Sequence, residues 1–263
     1  MTQDLKNRVA LVTGGGQGVG QGIARALASG GASVVIAQRR GEEAERETAY
    51  LRETYGVKTL ALTTDVTQAD QVDAMVKATE DHFGRLDILV NNAGGSFPKR
   101  LEKHSDEDMA ASFDLNYWSA FRAMRAAFPI MKAQQYGRII NLGSLNGVNA
   151  HMFTAAYNAG KEAVRALSRT AAVEWGPFGI TVNIICPASA SPHAEAYMAE
   201  NPEMFRTLLQ QIPVGRMGRA EQDIGPVALF LASEASGFVN GNTFFVDGGS
   251  HVNGVAWRPE IED

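Results

Sequence analysis

The chain has 263 residues, of which 45% are hydrophobic and 20% charged, a composition typical of a soluble globular protein with a sizeable core. Its formal net charge is -5 and its basic residues are scattered, so nucleic acid is not expected as a partner. No apolar stretch is long enough to cross a bilayer and no signal peptide is recognisable, so we expect a cytoplasmic protein with no membrane partner. The single cysteine, Cys186, lies in an apolar run and should be a buried, inert thiol.

Short apolar runs alternate along the chain with longer helical patterns. The predicted strands are residues 9–13, 33–37, 58–63, 87–91, 138–142, 181–186 and 243–247, and the predicted helices are residues 20–29, 41–55, 68–83, 106–134, 154–176 and 221–232. Most of the strands are almost continuously apolar, as strands buried on both faces are. The alternation predicts an α/β fold, with a doubly wound parallel sheet of about seven strands and helices on both faces.

Several helix ends carry local signals. Ser105 and Asp108 have the spacing of a capping box at the start of the fourth helix. Gly56, Gly84 and Gly137 each follow a helical pattern, where a glycine in the left-handed conformation commonly ends a helix.

The chain shows no repeat, linker or shift in composition, so residues 1–263 are expected to form a single domain. Residues 187–220 are the least regular part, and we expect them to form the substrate loop region. The tail, residues 250–263, is expected to dock through Trp257 and Pro259.

A glycine-rich stretch, "TGGGQGVG" at residues 13–20, joins the first strand to the first helix. Glycine lets a backbone approach a ligand closely, and the helix amino terminus offers free N–H groups to a phosphate. Neither the strict G-x-G-x-x-G pattern nor a Walker A loop is present. Tight packing alone could also explain the glycines, but their position after the first parallel strand favours dinucleotide binding.

Tyr157 and Lys161, in "YNAGK", are four residues apart and therefore share one helix face. An ammonium beside a phenol favours the phenolate, so this tyrosine could exchange a proton with an alcohol or carbonyl oxygen. The pair alone is weak evidence, because a Tyr–Lys contact at a surface has the same spacing.

The order of these motifs resembles the short-chain dehydrogenase/reductase family, in its short single-domain branch. "TGGGQGVG" is followed by "DV" (65–66), "NNAG" (91–94), "DLNYWSAF" with its Asn116, "NLGS" ending at Ser144, "YNAGK" and "VDGG" (246–249). The resemblance covers roughly residues 7 to 250. It implies a Rossmann-type fold and hydride transfer between a nicotinamide dinucleotide and a secondary alcohol or ketone.

The resemblance assigns four catalytic residues. Tyr157 would be the general acid/base, Lys161 would support it and bind the nicotinamide ribose, and Ser144 would donate a hydrogen bond to the substrate oxygen. Asn116 would hold a water in a proton relay from the lysine. Two plainer interpretations stay open, a turn-forming serine for Ser144 and a buried structural amide for Asn116. Asn146 is a further candidate to contact substrate, with Ser144 and Tyr157.

The resemblance also assigns the residues that line the cofactor site. In addition to Tyr157 and Lys161, they are Gly14, Gly16, Gln17, Gly18, Val19, Gly20, Gln38, Arg39, Arg40, Asp65, Val66, Asn92, Ala93, Gly94, Pro187, Ala188 and Ser189. For Asp65 a helix N-cap is the alternative, and Asn91 is expected to be structural. The five histidines and the cysteine have no metal-ligand spacing, so no metal site is expected.

The end of the second strand distinguishes the two nicotinamide cofactors. NAD-preferring sheets carry an acidic residue there, whereas this chain has Gln38 followed by Arg39 and Arg40, and the first carboxylate is Glu42. The two arginines could pair with a 2′-phosphate, so we favour NADP(H), with NAD(H) possible. They could also simply begin a charged helix face.

One stretch departs from the family pattern. The family has Pro-Gly after the sixth strand and then a threonine that binds the carboxamide, but here Ala188 replaces the glycine and Pro192 stands near the threonine position. Ser189 or Ser191 could serve instead. The shape of this loop is therefore not predicted by the resemblance.

The predicted function is thus an NADP(H)-dependent oxidoreductase for a small-molecule alcohol or ketone. A lyase or epimerase on the same fold and a non-catalytic dinucleotide-binding scaffold remain alternatives. The family further implies a homotetramer joined through residues 106–134, residues 154–176 and the last strand. Phe97, Met152 and Phe153, with Asn146, are candidates for an apolar substrate wall in the pocket loops, although such residues could also belong to the core. They favour a hydrophobic, ring-containing substrate.

Overall fold

Seven parallel strands form one sheet in the order β3-β2-β1-β4-β5-β6-β7, in a computed structural model that describes residues 4–189, 198 and 200–252. The strands are β1 (Val9–Thr13), β2 (Ser33–Gln38), β3 (Thr59–Thr63), β4 (Ile88–Asn91), β5 (Gly137–Leu142), β6 (Ile180–Pro187) and β7 (Thr243–Val246). All seven predicted strands are confirmed to within one residue at each end. The strand order reverses between β1 and β4, where ligands bind at the carboxyl ends of such sheets.

The core divides into two apolar layers because successive strand residues point to opposite faces. Ala10 and Val12 of β1 pack into one layer, and Val9 and Leu11 pack into the other. Every residue of β1 is buried, which explains why the strand is apolar without alternation. The doubly wound, single-domain α/β architecture is confirmed.

Helices cover both faces of the sheet. They are α1 (Gly18–Ser29), α2 (Gly41–Tyr55), α3 (Ala69–Phe83), α4 (Asp106–Phe113), α5 (Ser119–Gln134), α6 (Leu145–Val148), α7 (Ala155–Trp175), α8 (Pro202–Gln210) and α9 (Gly225–Ala232). Three short 3-10 helices, Leu101–Lys103, Gly176–Phe178 and Glu234–Ser236, and two π-helices, Asp114–Trp118 and Ala220–Ile224, complete the described part.

The predicted helix over residues 106–134 is interrupted. Its start is confirmed, since Ser105 and Asp108 form a reciprocal capping box. A π-helical turn at Asp114–Trp118 then separates α4 from α5, and it contains Asn116, whose amide is hydrogen-bonded outside the helix. A helical pattern does not report such a widened turn, because the apolar spacing on either side is preserved.

Two of the three predicted helix-ending glycines are confirmed. Gly56 and Gly84 end α2 and α3 in the left-handed conformation, with φ of 68° and 73°. The prediction for Gly137 is wrong: Gln135 takes the left-handed position with φ of 52°, and Gly137 begins β5. Gly137 instead allows close packing, since a Cβ there would lie 2.6 Å from the Met131 sulfur.

The region of residues 187–220 is described only in part. It contains the end of β6 and α8, while residues 190–197, with Ser191 and Pro192, lie outside the described residues. The predicted docking of Trp257 and Pro259 also lies outside them. Within the described part of the chain, no helix is both long and apolar enough to span a membrane.

Cys186 lies in β6 and is fully buried, as expected of an inert thiol. Burial raises the pKa of the Cys186 thiol to about 11. We therefore expect dithionitrobenzoate to leave the folded protein unlabelled at pH 8, where only about one thiol in a thousand would be ionised. In guanidinium chloride the same reagent should release one equivalent of chromophore per chain, because the chain has a single cysteine. Complete labelling of the folded protein within minutes would contradict this assignment.

Candidate active site

The glycine loop between β1 and α1 lies at the carboxyl edge of the sheet. Gly14 has a φ of 65°, and its N–H donates to the carbonyl of Ala37 at the end of β2. A Cβ at Gly14 would lie 3.0 Å from the amide nitrogen of Asn92, so the loop and the end of β4 are in close contact. The loop therefore needs glycine here for both its backbone conformation and its packing.

Asn92 and Thr13 fasten this loop to β4. The Asn92 side chain donates to the carbonyls of Thr13 and Gly14 at 2.9 and 3.1 Å. The Thr13 hydroxyl accepts from the backbone N–H groups of Asn92 and Ala93, both at 3.0 Å. The predicted cofactor residue Asn92 thus shapes the loop, and Thr13 is a contributor that the sequence analysis did not single out.

A cleft of about 560 Å³ opens beside the loop. Predicted cofactor residues line it from four strand ends: Gly14, Gln17, Gln38, Arg39, Arg40, Asp65, Val66, Ala93 and Gly94. Phe97, a predicted candidate for an apolar substrate wall, lines this cleft together with Ala111 and Leu115, which the sequence analysis did not assign. The glycine cradle, the apolar wall and the arginines fit a dinucleotide, which combines flat rings with phosphates.

The end of β2 carries a connected set of polar side chains. Gln38 is buried; its carbonyl oxygen accepts from the Gly16 N–H at 2.8 Å, and its amide donates to Glu43. Glu43 also pairs with Arg40 at 3.0 Å. Arg39 is exposed, lines the cleft and has no ion pair with any described residue. Glu43 was not predicted to reach the strand end; its spacing of three from Arg40 on one helical turn was the available signal.

Asp65 forms a turn rather than the predicted alternative of a helix cap. Its carboxylate accepts from the backbone N–H and the hydroxyl of Thr67, at 3.0 and 2.8 Å. These hydrogen bonds lower the pKa of Asp65, and the bond from the Thr67 backbone N–H has the largest effect. The positive charge of Arg39 lowers the pKa further. Helix α3 begins only at Ala69, so Asp65 is outside its first turn. Val66 is buried beside it in the cleft wall.

Tyr157 and Lys161 lie one turn apart on α7. The Lys161 ammonium is 5.6 Å from the centre of the Tyr157 ring. Lys161 is only 4% exposed and donates to the carbonyl of Leu142, at 2.8 Å. No described residue hydrogen-bonds the Tyr157 hydroxyl, which leaves that hydroxyl able to bond a ligand. The structure therefore places a buried cation against a partly exposed phenol.

Ser144 lies two residues after the end of β5. The hydrogen bond between Lys161 on α7 and Leu142, the last residue of β5, holds this end of the strand next to α7. The side-chain oxygen of Ser144 caps the short helix α6 by accepting from the Asn146 N–H at 3.1 Å. The hydroxyl proton is not used in that bond and can still be donated to another oxygen. Asn146 is half-buried at the same turn. The turn-forming interpretation of Ser144 is thus confirmed as local structure, and it leaves a hydrogen-bond donor available.

Asn116 is buried in the π-helical turn and supports the loop after β4. Its amide group donates to the carbonyls of Gly95 and Ser112, both at 3.0 Å, and accepts from the Gly95 N–H at 3.1 Å. A Cβ at Gly94 would lie 2.8 Å from the Asn116 oxygen and 3.1 Å from the Lys161 nitrogen. Asn116 is therefore in the same cluster as the lysine, and its side chain is fully occupied by neighbouring protein groups.

The remaining predicted contacts lie around the ends of β1, β4 and β6. Gly16, Gly18, Val19 and Gly20 belong to the glycine loop and the first turn of α1. Asn91 donates to the side chain of Asn141 on β5, at 2.8 Å, which confirms its structural role.

After β6, Ala188 donates its N–H to the Val246 carbonyl and accepts from the Gly218 N–H, both at 3.0 Å. Pro187 ends the strand, and Ser189 forms an isolated bridge with Gly218. Among the described residues, no three His, Cys, Asp or Glu side chains are grouped as metal ligands would be.

Comparison with known proteins places this geometry in a family. Residues 14–251 match a family model described as enoyl-(acyl carrier protein) reductase. The chain is 35% identical over 251 residues to the 12alpha-hydroxysteroid dehydrogenase of Clostridium sp., covering 92% of this chain and 96% of that protein. It is 32% identical over 249 residues to the 3-oxoacyl-acyl-carrier-protein reductase FabG of Haemophilus influenzae, covering 95% of this chain and all of that protein, 100%.

A solved structure shows the same architecture. The crystal structure of levodione reductase superposes with a TM-score of 0.89 at 31% sequence identity, covering 95% of this chain and 99% of that one. The relatives are named as dehydrogenases and reductases, and the family model covers residues 14–251, which include most of the glycine loop and the Tyr–Lys helix. The chain is therefore an oxidoreductase that belongs to the short-chain dehydrogenase/reductase family.

Proposed function

We propose that the protein interconverts a secondary alcohol and a ketone with NADP(H). The observation that carries this proposal is the buried Lys161 ammonium, 5.6 Å from the Tyr157 ring, next to a cleft that suits a dinucleotide. The Lys161 charge lies beside the ring of Tyr157, whose hydroxyl has no hydrogen-bond partner among the described residues. Such a tyrosine can pass a proton to, or accept one from, the oxygen of the substrate.

Each residue of the site has a separate role in the proposed reaction. The Ser144 hydroxyl donates to the substrate oxygen and fixes its position, and Tyr157 exchanges the proton with that oxygen. Lys161 stabilises the phenolate, held in place by the Leu142 carbonyl. Asn116 supports the loop that lies over the lysine. When bound, the nicotinamide cofactor supplies or accepts the hydride at the carbonyl carbon.

The preference for NADP(H) is supported by the charges at the end of β2. Gln38 stands where NAD-preferring sheets carry a carboxylate. Arg39 lines the cleft without an ion pair to any described residue, so it can pair with a 2′-phosphate. Glu43 neutralises Arg40 instead, at 3.0 Å. Arg39 is therefore the residue proposed to recognise the phosphate, and Arg40 the weaker candidate.

Relatives and exposed apolar side chains support a hydrophobic, ring-containing substrate. One relative is named as a hydroxysteroid dehydrogenase. Phe97, Met152 and Phe153, in the loops after β4 and before α7, are all exposed. Apolar side chains exposed around a catalytic tyrosine are suited to cover an apolar ligand. We also propose a cytoplasmic location, which the single, buried thiol supports.

Replacing the proposed acid/base tests the reaction directly. We expect Tyr157→Phe to lower kcat about 100-fold to 10,000-fold, because it removes the proton donor and keeps the ring. Turnover is followed at the nicotinamide absorbance band with a panel of ketones and alcohols, and NADPH binding by fluorescence titration should be retained. Tyr50→Phe, on the outer part of α2, is the matched control and should turn over normally. A Tyr157→Phe enzyme with wild-type kcat would refute the proposal.

Reversing the charge of Arg39 tests the cofactor. We expect Arg39→Asp to raise the Kd for NADPH about 10-fold to 100-fold, the effect of losing a charge-assisted hydrogen bond. The Kd for NADH should change little. Arg46→Asp, exposed on the same helix as Glu43, is the matched control. Equal NADPH affinities in wild type and Arg39→Asp would exclude the assignment and favour NAD(H).

We further propose that the protein is a homotetramer, in which α5, α7 and β7 form the contacts between subunits. Val173 on α7 is 79% exposed, and the side chain of Phe238, in the segment before β7, is fully exposed to solvent among the described residues. Trp118, the last residue of the π-helical turn that leads into α5, is also exposed. Apolar side chains left in water on these elements are suited to contact a second copy.

A charge on α7 tests this assembly. We expect Val173→Glu to shift the mass measured by size-exclusion chromatography with light scattering from that of a tetramer to that of a smaller species. Burying an unpaired carboxylate in the contact would be unfavourable. Lys77→Glu, on the exposed face of α3, is the control and should stay tetrameric. A monomeric wild-type protein would rule out the assembly.

A further inference from the structure

A small cavity of about 110 Å³ adjoins the catalytic tyrosine and is separate from the cofactor cleft's arginine end. Its lining combines apolar and polar side chains: Phe97, Pro98, Lys99, His104, Asp108, Ala111, Ser112, Ala156 and Tyr157. Because Tyr157 forms part of the wall, a substrate that reaches the tyrosine can extend a substituent into this cavity. The volume suits a small substituent rather than the body of a large substrate.

Besides the Tyr157 hydroxyl, the His104 ring is a polar group of this cavity without a hydrogen-bond partner among the described residues. Both of its ring nitrogens are buried, and neither has a hydrogen-bond partner in the part of the chain that the structure describes. Buried polar atoms are nearly always hydrogen-bonded, so leaving both nitrogens of one ring without a partner is energetically unfavourable. A ligand group that bonds one of the two nitrogens would remove part of that cost.

The charged groups of the cavity are already paired with each other. Lys99 forms an ion pair with Asp108, and Asp108 also accepts from the Ser105 N–H at 2.9 Å. The hydrogen bond from Lys99 is the main cause that lowers the pKa of Asp108. The pair leaves no excess charge to attract an ionised substituent. The vacant hydrogen-bonding capacity of His104 therefore favours a neutral polar group.

The backbone holds His104 between two ordered elements. It follows the 3-10 helix Leu101–Lys103, with its N–H bonded to the Leu101 carbonyl at 3.2 Å, and it precedes the capping-box residue Ser105. The neighbouring Lys99 N–H donates to the Phe153 carbonyl at 2.7 Å, which ties this loop to the segment before α7. The position of the imidazole relative to Tyr157 is thus set by the fold, as a binding residue requires.

We propose that His104 binds a second oxygen substituent of the substrate, a hydroxyl or keto group remote from the carbon that reacts. This inference rests on the proposed alcohol–ketone chemistry of Tyr157. One nitrogen of a neutral imidazole, either its N–H donor or its bare acceptor, can hydrogen-bond a hydroxyl group, and the N–H can also donate to a keto oxygen. The apolar walls formed by Phe97, Pro98 and Ala156 fit the hydrocarbon between the two oxygens. His104 is then a specificity-determining residue that selects doubly oxygenated substrates.

A pair of ketones that differ in one hydroxyl tests the proposal. We expect the wild-type enzyme to reduce 4-hydroxycyclohexanone with a kcat/KM about tenfold above that for cyclohexanone, because a site built around a polar group discriminates against the analogue that lacks it. In His104→Phe this ratio should fall to about one. His104→Gln keeps a donor and an acceptor and should restore most of the ratio. His82→Phe, an exposed histidine on α3, is the matched control and should keep the wild-type ratio.

Binding measurements separate this proposal from the reaction itself. Calorimetric titration of the NADP-loaded Tyr157→Phe protein should show tighter binding of cyclohexane-1,4-diol than of cyclohexanol, and the difference should vanish when His104→Phe is added. If the diol and cyclohexanol bind equally to the Tyr157→Phe protein, or if His104→Phe keeps the wild-type preference, His104 does not bind the second oxygen. If wild type turns over no ketone while the difference in diol binding persists, the redox function fails and the role of His104 stands.

Discussion

The bond between the Lys161 ammonium and the Leu142 carbonyl organises the site. Lys161 is 4% exposed, and a buried cation is stable only where polar groups replace its water. The 2.8 Å bond to Leu142 joins α7 to the end of β5. It holds the lysine against the ring of Tyr157 and brings Ser144, two residues further along, to the same edge. The proposed chemistry of Tyr157 would thus depend on the packing of a helix on a strand.

The loop after β4 closes this arrangement from the cofactor side. Gly94 lies so close to Lys161 and to Asn116 that a Cβ would be 3.1 Å from the ammonium and 2.8 Å from the amide oxygen. Asn116 in turn holds Gly95 by two hydrogen bonds. The π-helical turn that carries Asn116 is therefore part of the site, as π-helical turns often are. Its side chain is occupied by protein groups, which supports a structural contribution alongside any role in proton transfer.

The cofactor cleft and the smaller cavity beside Tyr157 differ in how their polar groups are paired. At the β2 end, Glu43 is bonded to Gln38 and Arg40, and Arg39 has no ion-pair partner among the described residues. In the cavity beside Tyr157, Lys99 and Asp108 neutralise each other, and the ring nitrogens of His104 are unpaired within the described part. In both places the unpaired group is the one available to recognise a ligand. Selectivity for cofactor and substrate would then come from groups that the protein leaves unsatisfied.

The sequence by itself determined the sheet, most helix boundaries and the family. Strands buried on both faces must be apolar, and glycines must stand where φ is positive or the backbone approaches a ligand, so both leave local signals. The motif order was sufficient to name Ser144, Tyr157 and Lys161, and the structure places Lys161 beside Tyr157 and ties it to the strand that leads to Ser144. Only the tertiary structure showed the π-helical turn at Asn116, the use of Gln135 instead of Gly137 to end α5, and the position of His104. These features depend on how segments that are distant in the sequence pack together. His104 and Tyr157, for example, line one cavity although they are 53 positions apart. Local propensity cannot report such contacts, because the packing of separate elements creates them.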